Sequence, residues 1–254
     1  MILDPNKIAQ REKLILAGLF LAKFDGTALK RLGFKGFAEA YNTIGYALGA
    51  KPASIKNYRD EFDPLFPNRR SGWHKRGVRE YCQNIFDEYN GLDLEQFAGL
   101  IGSFAGAGEK TSGEPQDGAF ECAHDSSFAK RLITGLAAEQ YFESIHTTIP
   151  VFANRLLENT TRLGCGYDYC LRSLHEPDFL AIEVKGISGP AGGVSFTPKE
   201  YNAAELMRER FFLFLVKDFR KRPVHEIFQD PLSSRLRFRR TEQVSIQISW
   251  TTSV

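Results

Sequence analysis

Three residues carry the chemistry this chain could do: Asp168, Glu183 and Lys185. Asp168 lies in Gly166-Tyr167-Asp168-Tyr169-Cys170, an acid inside an aromatic, strand-prone run. After fourteen intervening residues comes Glu183, within the segment FLAIEVKG from Phe179 to Gly186, whose apolar run is interrupted only by Glu183 and Lys185. Residues two apart on a strand share a face, so Glu183 and Lys185 project together while Ile182 and Val184 pack the other way. A carboxylate and an ammonium on a buried strand are costly unless something pairs them. A divalent metal and a phosphodiester would do so.

Two carboxylates suit Mg²⁺, a hard ion that takes oxygen ligands and keeps several waters. Asp168 and Glu183 are the expected ligands, with the Val184 carbonyl as a third. Lys185 is expected to orient a metal-bound water and to stabilise charge growing on phosphate oxygens. The alternative for the same residues is a buried structural network of Asp, Glu and Lys. The five histidines show no paired spacing, which argues against a His-based nuclease or a zinc hydrolase. The four cysteines form no CxxC pair and read as free thiols of a reducing cytosol. A zinc site from Cys165, Cys170 and His175 lacks the usual paired spacing.

The elements that must position these residues follow from pattern. Ser127 to Ile145 reads as a helix with Phe128, Leu132, Leu136, Tyr141 and Phe142 on its apolar face. Strands are expected at Tyr167–Arg172 and Asp178–Lys185, joined by a turn at His175-Glu176-Pro177, with a third at Gly193–Phe196. Thr197-Pro198-Lys199-Glu200 combines a capping box with proline at the first helical position, so a helix should start there and run to about Glu209. Phe211–Val216 reads as a buried strand. The order is helix, three strands, helix, strand, and the class is α+β or α/β. Val244–Trp250 alternates as a further strand, able to cover the chain's own core or meet a partner.

Upstream, the chain reads as helices. Asp4-Pro5 opens one that runs to about Phe24. Phe37–Leu48 forms a second, and Ser54 can cap a third over Ile55–Phe62. Helix, short turn and helix outline a helix-turn-helix-like unit, a shape also common in proteins that never touch DNA. Helices at Val78–Tyr89 and Leu94–Phe104 would close the bundle. The segment Ser103–Gly118, rich in Gly, Ser, Glu and Pro, reads as a linker. The expected division is a helical domain at 1–105, a linker at 106–120 and a second domain at 121–254.

The net charge is only +2, but it is unevenly spread. Lys51–Arg79 holds eight bases against three acids, and Arg208–Arg240 ten against four. Two basic stretches suit a polyanion gripped locally, although either alone reads equally well as solvated surface. Lys56, Asn57 and Arg59 on the third helix, with Arg69, Arg70 and Lys75 of the loop that follows, are the expected DNA contacts. The N-terminus has no signal-peptide layout, and Leu14–Leu21 is too short to span a membrane. These features fit a cytoplasmic protein with no membrane partner.

Gly166-Tyr167-Asp168, Glu183-Val184-Lys185-Gly186, Thr197 to Glu200 and Ala203-Ala204 together resemble the PD-(D/E)XK nuclease superfamily, more narrowly the Mrr-like nuclease domains of restriction systems. The resemblance covers roughly residues 125 to 217. It departs from the superfamily pattern at Tyr167, where the name has proline. It implies Asp168, Glu183 and Lys185 as catalytic residues, and Glu139 on the preceding helix as an added ligand through water or a site for a second ion. It further implies a Mg²⁺-dependent endonuclease acting on double-stranded DNA. The small size, without an ATPase or methyltransferase motif, favours a stand-alone type II restriction enzyme, and cutting both strands with one catalytic set favours a homodimer. A nuclease reading methylated DNA, a structure-specific repair nuclease, and a DNA-binding protein with an inactive nuclease fold are the alternatives.

Overall fold

The structure, a computed structural model, describes residues 7–70, 72, 75–106, 122–173 and 178–242. The Asp4-Pro5 start, residues 107–120 of the linker, the turn at His175-Glu176-Pro177 and the strand expected at Val244–Trp250 lie outside the described residues. Five helices come first: α1 Gln10–Arg31, α2 Phe37–Ala47, α3 Pro52–Phe62, α4 Glu80–Tyr89 and α5 Leu94–Gly106. Then follow α6 Cys122–Ile145, β1 Leu156–Asn159, β2 Tyr169–Arg172, β3 Phe179–Gly186, α7 Pro198–Met207, β4 Phe211–Lys217 and β5 Val224–Gln229. The class is mixed, helices followed by a five-stranded sheet in the order β1-β2-β3-β4-β5. Only β3 and β4 run parallel, as a crossover through α7 requires.

Helix α1 is apolar all round from Ile15 to Ala22, which is why it lies at the centre of the bundle. The helix expected to end near Phe24 breaks there: Asp25 takes φ 48° and ψ −124°, and the chain then resumes a helix to Arg31. Two arginines hold that break. Arg59 reaches Asp25 at 3.5 Å, and Arg70 at 2.5 Å. Helix α3 begins at Pro52, with Lys51 in the cap position, three residues before the start expected at Ile55 under a Ser54 cap. Proline is well suited to the first helical position, and here it outweighs the serine.

The sheet is buried where its sequence is most apolar. In β4 every residue from Phe211 to Val216 is buried, and β3 is covered on both faces. Tyr169, Ile182, Val184, Phe212 and Phe214 pack on the α6 side with Phe142. Ala181 and Phe211 pack on the α7 side with Ala204. One continuous core runs from α1 through α2 and α6 to this sheet. Its polar fastening is Asn42 of α2, whose side-chain N–H groups donate to the carbonyls of Phe219 (2.8 Å) and Lys221 (2.9 Å) just beyond β4. Glu39, also buried, pairs with Lys130 of α6 at 2.8 Å.

Two strand expectations change. Residues 193–196 form no strand, because both edges of β3 are already taken, by β2 and β4. Two strands are added at β1 and β5. Most of β1 is exposed, and β5 interleaves His225, Glu226 and Gln229 with its apolar residues, so neither carries a clear alternation.

Candidate active site

The site forms where β2 and β3 part. Their pairing ends at Tyr169 and Ile182, and Gly166 then turns the chain at φ +90° towards the start of α7. A side chain at 166 would lie 2.5 Å from the Lys199 carbonyl oxygen, so only glycine fits. The parting leaves the Val184 N–H without a strand partner on that side. Asp168 supplies one: its Oδ2 accepts the Val184 N–H at 2.9 Å, while its own N–H donates to the Ile182 carbonyl at 3.0 Å. The half-buried acid is thereby locked beside Glu183.

Glu183 projects from β3 on the α7 side and is only 3% exposed. Lys185, two residues on, turns to the same side and donates to Glu183 Oε1 at 2.6 Å and to Glu200 Oε2 at 2.9 Å. Glu200 also closes the capping box of α7: its Oε2 accepts the Thr197 N–H at 3.0 Å, and Thr197 Oγ1 accepts the Glu200 N–H at 3.3 Å. Two carboxylates thus hold one ammonium, and Asp168 stands beside the first of them. Burial, and then the neighbouring Asp168 charge, push the Glu183 carboxyl well above its ordinary range. Burial lowers the Lys185 ammonium's pKa, but Glu183 and Glu200 outweigh it and raise the net value, so this lysine keeps its proton.

Glu139 sits on α6, across the sheet from Lys185. Its charge reaches Tyr169, whose fully buried hydroxyl donates to Glu143 at 2.8 Å. Burial first, then Glu139, Glu143 and Asp168, push that phenol's pKa upward, which places Glu139 and Asp168 in one electrostatic neighbourhood. Among the described residues, no group of three His, Cys, Asp or Glu side chains is arranged to hold a metal ion. Glu200 is the participant that sequence reasoning missed. Its capping-box signature was legible, but its bond to Lys185 crosses from α7 to β3, and local spacing does not report it.

The expected nucleic-acid contacts divide in two. Lys56, Asn57, Arg69 and Lys75 are exposed. Arg59 is 6% exposed, stacked 3.5 Å over the Phe37 ring and donating to the Tyr41 hydroxyl. Arg70 is bound to Asp63 and Asp25. Ile55, Arg59 and Phe62 fall on one stripe of α3, and that spacing is the signal that places Arg59 inside.

Residues 138–228 match the family described as Protein NO VEIN, C-terminal, a domain linked to PD-(D/E)XK-like nuclease proteins. The match runs from the later turns of α6 into β5 and includes Glu139, Asp168, Glu183, Lys185 and Glu200. No curated protein and no solved structure matches the chain. No described helix is long and apolar enough to cross a membrane.

Proposed function

We propose that this chain is a Mg²⁺-dependent endonuclease that hydrolyses phosphodiester bonds in double-stranded DNA, acting as a sequence-specific restriction enzyme of the type II kind. One observation carries the reading: Glu183 and Glu200 share a single ammonium, Lys185, while the neighbouring Asp168 adds a third negative charge beside Glu183. Such a cluster is short of positive charge. It answers the shortage either by keeping a proton on Glu183 or by taking a cation, and hard carboxylate oxygens suit Mg²⁺. Asp168 and Glu183 would hold the ion, with the Val184 carbonyl as a further oxygen. When bound, the ion supplies a more acidic water and polarises the phosphate.

The chain's own groups do the rest. Lys185 Nζ, kept protonated between two glutamates, acts as a hydrogen-bond donor to water and to phosphate oxygens, not as a base. Asp168, bonded to the β3 backbone, keeps its carboxylate from swinging away. Lys56, Asn57, Arg69 and Lys75, the exposed members of the expected set, are the proposed DNA contacts.

Methylated and unmethylated phage DNA, each digested with Mg²⁺, test this. Discrete bands from unmethylated DNA are expected. Bands from methylated DNA alone would replace this reading with a modification-dependent nuclease, and no cleavage of either DNA with Mg²⁺ or Mn²⁺ would overturn it.

A further inference from the structure

Beside the acidic cluster lies a cleft of about 1050 Å³ that the catalytic reading leaves unused. Its floor includes Leu213 and Leu215 of β4. These stand in register with Glu183 and Lys185 of β3, so the cleft opens on the same face of the sheet as the candidate active site. One wall is the coil before α7 and the first turns of that helix, the other the segment Leu236–Glu242.

Three aromatic rings line it. Phe196 lies 4.8 Å from Phe238, and Tyr201 meets Phe238 edge-on at 6.3 Å. Tyr201 is 39% exposed. The Phe196 ring also lies 6.0 Å from Lys185 Nζ and so joins cleft to site. The far wall alternates: Leu236 and Phe238 turn inward, while Arg237 and Arg239 are exposed at the rim. Arg240, also at the rim, is paired with Glu242 at 2.6 Å.

We infer that this cleft binds unpaired nucleotides next to the scissile phosphate, their bases stacked on Tyr201 and Phe238 and their phosphates held by Arg237 and Arg239. The inference rests on the nuclease reading above and specifies the substrate of that site. Ring faces with guanidinium groups suit single strands, because every base has a π face and stacking tolerates any sequence. Bases inside a duplex are already stacked on one another and offer only their edges. At about 1050 Å³ the cleft also lies just above the usual range of small-molecule sites, about 300–1,000 Å³. The unpaired stretch has two sources, a single strand already present in the substrate or nucleotides extruded from a duplex.

Anisotropy titrations of the full chain in EDTA test it, with labelled oligo-dT, a gapped duplex and a blunt duplex as probes. Wild type is compared with Tyr201→Ala and Arg239→Ala, both at exposed positions where folding should survive. Tyr201→Ala should weaken oligo-dT binding by about 5- to 150-fold, as loss of a stacking platform does. Arg239→Ala should weaken it and lower the salt slope by about one phosphate contact. If the gapped duplex is weakened alike and the blunt duplex is not, the strand is pre-existing; if the blunt duplex follows, it is extruded. No oligo-dT binding by wild type, or equal binding by all three proteins, overturns the inference. Mg²⁺ cleavage assays on the same proteins separate the two ideas. Cleavage with unchanged binding sinks only the cleft, whereas weakened binding with no cleavage of any DNA sinks only the nuclease.

Discussion

Glu183 is where burial and charge conflict most sharply. Burial and Asp168 disfavour its anion, so the folded chain holds that proton to a higher pH than the unfolded chain does. Between the ordinary value of 4.5 and the raised one, the folded state binds more protons, and the stability it contributes falls as pH rises. Glu183→Gln removes that dependence and leaves Lys185 paired with Glu200. Metal-free melting curves should therefore coincide near about pH 4, and the variant should become progressively the more stable protein above it. Cleavage should drop by at least about 100-fold. A variant that melts in parallel with wild type across the whole range would show that Glu183 keeps its ordinary pKa. At this scale the sequence is informative because strand periodicity is short: two residues of spacing bring Glu183 and Lys185 to one side. It says less about Asp168, whose bond to the Val184 N–H exists only because β2 leaves β3 at Gly166.

Among the elements, α7 does two jobs with one residue. Glu200 caps the helix and holds Lys185, so the helix start and the lysine's position are mechanically linked. Thr197→Ala removes the other half of the capping box and should cost about 1 kcal/mol. In a chain of this length that corresponds to a melting drop of roughly 2–4 °C. Glu200 then loses the bond that fixes its backbone, and turnover should fall several-fold while substrate affinity changes little. Calorimetry and a split of kcat from KM check both; a stability loss with unchanged kcat would mean that α7 and Lys185 are not coupled. The helix start was legible from four residues because capping is local chemistry. β3 and β4 were legible from their apolar runs. β1 and β5 were not, since an exposed edge strand needs no buried face and so leaves no alternation to find. The misplaced strand at 193–196 shows the converse. Val194 and Phe196 are apolar because they pack beside β4 and under the C-terminal segment, not because they pair in a sheet.

For the whole molecule, the proposed reading gives each chain one set of Asp168, Glu183 and Lys185, which would cut one phosphodiester at a time. Breaking both strands at a fixed stagger calls for a second set, and a closed two-fold pair is the commonest way to supply it. Light scattering of the chain on a duplex that it cuts should give the mass of two chains per duplex. One chain per duplex, with both strands broken in a single binding event, would replace the pair with a monomer that reorients between nicks. The division expected around residues 106–120 is read from composition, and α2, α6 and the sheet contribute buried residues to one continuous core.

That shared core gives the molecule the properties of a caliper. Asn42 ties α2 to the two carbonyls that follow β4, and β4 is the strand paired alongside Glu183 and Lys185. Among the described residues, the jaw formed by α2 and α3 and the jaw that holds the acids share one continuous buried core. If α3 rests on DNA as proposed, the interval between the place it grips and the bond that breaks is set by the dimensions of the protein core, and the cut falls at a constant offset whatever sequence lies between.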